Sequence, residues 1–296
     1  MSELVIWENA VPEGIKDPVL VVALDGWIEA GYAAVTAMGT LKQQIRTHRL
    51  LRFDTDELLD QRARRPTMRL VNGVNTELRW PRLQLRHGRD SAGQDLLVLT
   101  GPEPDMRWNR FVGELMTVVE QLNVRICIGL GAFPAAAPHT RPVSIGATAT
   151  TQELADEVGY LEATMDIPGG VQAAIERAFA AAHRPAVGLW ARVPHYAAAM
   201  PFPAAAAALL ETLARVTGLV IDTVELRNTG TAANTQIDQL VQNNPEHVDM
   251  VRRLEEQVAS EMPMRPGRFG MAGGDLGDLP SGDELAAELE KFLREQ

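Results

Sequence analysis

Cysteine is nearly absent from this chain of 296 residues: Cys127 stands alone, which excludes a disulfide framework and any zinc site built on paired thiolates, and a reducing cytoplasmic location is the expectation. Lysine is scarce as well, with only Lys16, Lys42 and Lys291, and none lies in a glycine-rich phosphate loop. An excess of positive charge is missing too. Twenty-eight basic against 39 acidic residues give a formal charge of −11, where nucleic-acid-binding domains carry a basic face, so no nucleic-acid partner is expected. No run of about 18 apolar residues occurs, and Met1-Ser2-Glu3 opens on an acid where a signal peptide is basic; neither membrane nor export is expected. Five serines include no G-x-S-x-G elbow, and H-E-x-x-H is absent, so no cofactor and no metal are expected.

What is present is an alternation. Val19-Leu20-Val21-Val22-Ala23-Leu24 is a continuous aliphatic run, the pattern of a strand buried on both faces of a mainly parallel sheet. Ala30, Ala34, Ala37, Leu41 and Ile45 follow at helical spacing, with small residues that allow close packing on a sheet. The unit repeats in Asp95–Thr100 and the face Trp108, Phe111, Leu115, Val118, Val119 and Leu122, then in Arg125–Leu130, in 143–147, in a helix near 171–183 and in 187–190. This predicts an α/β three-layer sandwich with a mainly parallel central sheet. Residues near 66–88 break the rhythm: Thr67-Met68-Arg69-Leu70 and Glu77-Leu78-Arg79-Trp80 alternate polar with apolar, as an inserted β-hairpin with a wet face does.

Two helical stretches, 231–242 and 245–260, have no strand between them, so an α/β core over 1–230 and a C-terminal helical appendix over 231–296 are expected. Residues 262–282 hold three prolines and six glycines, the composition of a linker, and Ser281 with Glu284 forms a capping box ahead of Leu285, Leu289, Phe292 and Leu293. From Pro245 onward, 12 acids and 6 bases place −6 of the charge in the appendix.

Ligands commonly bind at the carboxyl ends of parallel strands, and four loops there carry the candidate binding residues. Asp25-Gly26-Trp27-Ile28-Glu29-Ala30-Gly31 joins a strand to a helix N-terminus; Asp25, Trp27 and Glu29 bind there, or Gly26 serves only the turn, Trp27 the packing and Glu29 the helix dipole, the structural alternative being the favoured one. Glu103, in Gly101-Pro102-Glu103-Pro104, projects over the same edge or is an ordinary loop acid. Pro138-His139-Thr140-Arg141-Pro142 holds an imidazole and a guanidinium between prolines; His139 and Arg141 clamp an anion, or Arg141 ties its loop to Asp25 or Glu103 while His139 caps a carbonyl. His195 and Tyr196 close the rim or pack against the following helix. Gly129-Leu130-Gly131 lacks a third glycine and reads as a tight turn, and Cys127 reads as an inert core thiol.

The order and spacing of Gly26-Trp27-Ile28-Glu29-Ala30-Gly31, Gly101-Pro102-Glu103-Pro104 with Trp108, the loop 138–142 and Val193-Pro194-His195-Tyr196 resemble the proteasome assembly chaperone family, in its bacterial, actinobacterial form. That resemblance implies a phosphorylase/hydrolase-like α/β fold and a non-catalytic binding or assembly-type protein that self-associates and takes a protein partner. The alternative is a small-molecule enzyme, hydrolase- or phosphorylase-like, using the rim of Asp25, Glu103, His139 and Arg141. Relatives that dock on the proteasome ring end in a hydrophobe, a tyrosine and one further residue. This chain ends Arg294-Glu295-Gln296, and burying those two charges unpaired would cost several kcal/mol, so docking through the tail is not expected.

Overall fold

A computed structural model describes residues 4–26, 28–161, 164–261 and 268–269. In chain order the strands are β1 (Val5–Trp7), β2 (Val19–Asp25), β3 (His48–Phe53), β4 (Thr67–Val71), β5 (Val74–Arg79), β6 (Gln84–Arg89), β7 (Asp95–Pro102), β8 (Ile126–Ala135), β9 (Ile145–Ala149), β10 (Tyr160–Leu161), β11 (Ala186–Pro194) and β12 (Arg268–Phe269). The helices are α1 (Ala33–Ile45), α2 (Thr55–Leu58), α3 (Trp108–Gln121), α4 (Gln152–Val158), α5 (Val171–Ala181), α6 (Pro203–Thr217), α7 (Val224–Gln242) and α8 (Pro245–Glu261).

Eight strands form one sheet in the order β1-β3-β6-β7-β2-β8-β11-β9. The four aliphatic runs are its centre: β7, β2, β8 and β11 are neighbours and parallel, with antiparallel strands on either side. Alternation along β2 sends Val19 and Val21 to a face covered by α1 and α6, and Leu20 and Val22 to the opposite face, where Phe111 of α3 and Phe179 of α5 complete the core. Each of these fully buried aliphatic side chains contributes about 1.5–3 kcal/mol, which is why an uninterrupted apolar run specifies the middle of a sandwich. The apolar stripe of α1 is Ala33, Ala34, Ala37, Met38, Leu41 and Ile45, all buried.

Four details refine the expectations. The hairpin is β4–β5 alone, because Leu85 and His87 of β6 bury their side chains and β6 pairs with β3 and β7 in the main sheet. The helix expected from residue 231 starts at Val224 and buries Leu226, Gly230 and Ile237, so it crosses the division placed at 230 and 231 and packs on α6. Gly129-Leu130-Gly131 lies inside β8 and makes no turn; a Cβ at Gly131 would stand 2.4 Å from the Trp190 ring, so this glycine makes room for the indole. The linker 262–282 apart from β12, the capping box at Ser281, Phe292, Leu293 and the last three residues lie outside the described residues. Among the described residues no helix is long and apolar enough to cross a membrane.

Candidate functional site

At the end of β2 the chain leaves the sheet through Asp25 and Gly26, and residues 28–32 lead into α1. The turn is pinned by its backbone: Gly31 N donates to Ala198 O at 2.7 Å, and Phe202 N donates to Gly31 O at 2.8 Å. Glu29 folds back onto the helix start, where its Oε1 accepts from Ala34 N at 3.0 Å, and the helix N-terminus favours the carboxylate there. Arg64 lies over Gly26, leaving no room for a Cβ, and donates from Nε to both carboxylate oxygens of Asp105 at 3.1 and 3.2 Å.

Beneath this turn is a cavity of about 210 Å³ between β2, β7 and α1. Asp25, Glu29, Lys42, Gln84 and Thr100 supply its polar lining, and Ala23, Ala34 and Met38 its apolar floor. The carboxylates reach solvent at their edges, yet the surrounding protein withdraws enough water to raise both proton affinities above the ordinary value; Arg64 and Lys42 partly offset this for Asp25. Thr100 is 7% exposed, and its hydroxyl has no hydrogen-bond partner. Gly101, at φ +132°, also lines the cavity, and its lack of a side chain makes room for the Arg82–Leu83 backbone, since a Cβ would sit 2.2 Å from Arg82 O.

His139 lies elsewhere, beneath α7. It is 1% exposed, and every polar atom it owns is engaged. Its Nε2 stands 2.9 Å from Asp238 Oδ1 and its Nδ1 2.8 Å from the Tyr196 hydroxyl, which also accepts from the His139 backbone N at 2.9 Å. A neutral imidazole with its proton on Nε2 satisfies this set: Nε2–H donates to Asp238, and the tyrosine O–H donates to Nδ1. The His139 carbonyl accepts from Asn234 Nδ2 at 3.0 Å, and the Thr140 hydroxyl bonds Glu255 of α8. The loop therefore straps both C-terminal helices to the sheet. Burial raises the Tyr196 phenol above its usual value, so it stays protonated as the strap requires.

The remaining candidates have separate surroundings. Glu103 caps α5, its Oε1 accepting from Val171 N at 2.5 Å, while its backbone N donates to Asp25 O at 2.7 Å. Arg141 is exposed, and among the described residues its side chain makes no hydrogen bond or ion pair. His195 is exposed, with Nδ1 3.4 Å from Ala135 O and its ring edge-on to Tyr196. Trp27 is outside the described residues. Asp25 and Glu29 thus share one cavity, while His139 and Tyr196 share a strap and do not line it. Asp238, Lys42, Gln84 and Thr100 were not among the sequence candidates. A helical reading signalled two of them: Asp238 follows Asn234 by one turn beside buried Ile237, and Lys42 follows Met38 by one turn on the packed side of α1.

Cys127 is fully enclosed in β8, and burial with the nearby Glu176 carboxylate pushes its thiol far up, so it is no nucleophile. Among the described residues no group of three histidine, cysteine or acidic side chains could hold a metal ion.

The PAC2 family model matches residues 23–241 of this chain. A Mycobacterium tuberculosis protein of unknown function is 35% identical, over 88% of this chain and 92% of its own, with TM-score 0.80. A Mycobacterium tuberculosis proteasome-assembly chaperone homologue is 33% identical, over 79% of this chain and 99% of its own, with TM-score 0.74. An archaeal proteasome activator from Pyrococcus furiosus shares the fold at 16% identity and TM-score 0.60, over 80% of this chain and 97% of its own. No curated protein matches this chain. With strands β3 to β11, the edge loops and nearly all of α7 inside the matched span, the chain belongs to the PAC2 family, in its actinobacterial form.

Proposed function

We propose that this chain is a non-catalytic assembly-type protein that self-associates through the β4–β5 hairpin and in that form holds a protein partner. The hairpin carries the reading. Every residue from 67 to 80 is exposed, including Met68, Leu70, Val74, Leu78 and Trp80, although an isolated two-stranded ribbon is at best marginally stable in water. Apolar side chains presented together on such an arm fit an interface. From Arg62 to Arg82 six arginines face Glu77 alone, a charge of +5 that leaves −16 on the rest of a chain whose total is −11. A second copy of this chain is therefore an electrostatically matched occupant. The relatives named as a proteasome-assembly chaperone homologue and a proteasome activator favour the assembly role over the enzymatic one. So does the imidazole at residue 139, which is fully engaged inside the protein and unavailable as a general base.

Replacing residues 67–79 by a short Gly-Ser turn tests this. Light scattering at micromolar concentration should give a mass above 32.3 kDa for the intact chain and the monomer mass for the deletion, with the same melting temperature above its association range. Raising salt should weaken the intact assembly, since exposed charge pairs are screened. An intact chain that runs as a monomer, or a deletion that stays assembled, overturns the proposal.

A further inference from the structure

The hairpin leaves the cavity under the Asp25 turn unexplained. Among the described residues, three charged side chains line this small space, Asp25, Glu29 and Lys42, and none of them forms an ion pair. Thr100 also lines this space, and among the described residues its buried hydroxyl has no partner, whereas the large majority of buried hydroxyls in native proteins have one. We infer that this cavity is a binding site for a small zwitterion, with a primary ammonium held by Asp25 and Glu29 and a carboxylate held by Lys42 and the Thr100 hydroxyl.

The polarity of the site fixes the orientation. Two carboxylates whose surroundings resist their charge gain most from an ammonium, which supplies a compact cation and three donors. At the other end a carboxylate completes both Lys42 and Thr100: Thr100 can donate its orphaned O–H to it, and the lysine can pair with it. The spacing follows from the helix. Lys42 lies eight residues after Ala34, about 12 Å along α1 at 1.5 Å per residue, and a helical side chain leans back toward the N-terminus, which shortens the gap to the acids by several ångströms. The two charges of the ligand are therefore a few bonds apart. Ala23, Ala34 and Met38 offer the spacer an apolar floor. At about 210 Å³ the space is below the 300–1,000 Å³ typical of drug-sized pockets, which sets the occupant at the size of an amino acid.

Calorimetric titration of the full chain with L-alanine, 4-aminobutyrate, putrescine and acetate tests the site and its source, the first two distinguishing an α-amino acid from an ω-amino acid. One of the two zwitterions should bind more tightly than putrescine or acetate. That binding should weaken at least tenfold in Asp25→Asn, in Lys42→Met and in Thr100→Val, with melting temperatures within a few degrees of the parent. Lys42→Met and Asp25→Asn both change solvent-edge side chains, so they keep the test valid if Thr100→Val perturbs folding. Absence of binding by both zwitterions, binding of putrescine or acetate alone, or undiminished binding in Lys42→Met would overturn the inference. The hairpin deletion should bind the zwitterion as the parent does, so loss of assembly and loss of this site are separable.

Discussion

His139 and Thr100 are both buried polar side chains close to the carboxyl ends of parallel strands, and the protein treats them in opposite ways. Around His139, all four polar atoms of the residue find partners in the same chain, in Asp238, Tyr196 and Asn234, although the Oδ1 of Asn234 is itself buried without a partner among the described residues. Around Thr100 the hydroxyl is left unpaired, and the nearby Asp25, Glu29 and Lys42 are left without ion pairs. A buried histidine whose polar atoms are all engaged has no valence to offer a substrate. An unsaturated cluster has donors and acceptors to spare at a cost in stability. Chemical type alone therefore misdirects here: the histidine, which looks catalytic, has every polar atom engaged, and the threonine, which looks like strand filler, keeps a buried hydroxyl without a partner among the described residues.

The largest effect should come from breaking the saturated side. His139→Ala removes two side-chain hydrogen bonds, opens a cavity and leaves the Tyr196 O–H without its acceptor, although the backbone N of residue 139 still donates to that oxygen, costing about 3 kcal/mol. For a chain of this size the melting temperature should fall by roughly 5–10 °C, read by calorimetry. A melting temperature within a degree of the parent would mean that the strap does not hold α7 and that the histidine is free for other work.

A matched pair of one-group deletions sharpens the comparison further, because the two should differ in sign. Tyr196→Phe strands His139 Nδ1 and the His139 backbone N–H, and urea denaturation should show a loss of about 1–2 kcal/mol. Thr100→Val replaces an unpaired hydroxyl by a methyl of the same shape and, in protein free of ligand, should gain up to about 1 kcal/mol. Loss of stability in both variants would show that Thr100 has a partner after all.

The difference between these two places also marks what the sequence could and could not reveal. The runs 19–24, 96–100, 126–130 and 187–190 were legible because a strand buried on both faces must be apolar throughout, and nothing else in the chain competes for that pattern. Strands β1 and β3 were not, since β1 is only three residues long at the sheet edge and β3 beside it carries His48, Arg49 and Arg52, polar residues that read as loop. The family was legible in the turns, whose glycines and prolines follow backbone demands. The site was harder. Asp25 and Glu29 were visible as acids at a sheet edge, but Asp238 lies 99 residues from His139 on a helix that read as part of an appendix. Thr100 differs from its strand neighbours only in where its hydroxyl fails to find a partner, and only packing reveals that. Periodicity assigns a face to each residue, while satisfaction of its polar atoms depends on what arrives from elsewhere in the chain.

The smallest effect is the most specific, and it turns on pH. The protein around Asp25 raises its folded-state pKa, so the folded chain binds that proton more tightly than the unfolded chain does. The ionised form therefore costs stability above the folded pKa, and the cost disappears as pH falls below the ordinary aspartate value near 4. Asp95, at the opposite end of β7, has the reverse sign. Burial alone would raise it, but hydrogen bonds from His87, the Lys16 backbone N and Arg89 outweigh burial and hold it below the ordinary value. Its contribution is present above the unfolded value and is lost as pH falls through the lowered folded one. Asp25→Asn should thus stabilise the chain at pH 7 by a few tenths of a kcal/mol, since its solvent-facing edge is screened, with the gain vanishing near pH 4. Asp95→Asn should destabilise at pH 7, and that loss should shrink only on further acidification. Urea midpoints for both variants at pH 7 and pH 4 measure this, and a zwitterion bound at the cavity should cancel the Asp25→Asn gain by giving the carboxylate its missing cation. A gain at pH 7 that persists undiminished at pH 4 would show that Asp25 ionises at its ordinary value and that the cavity places no demand on its charge.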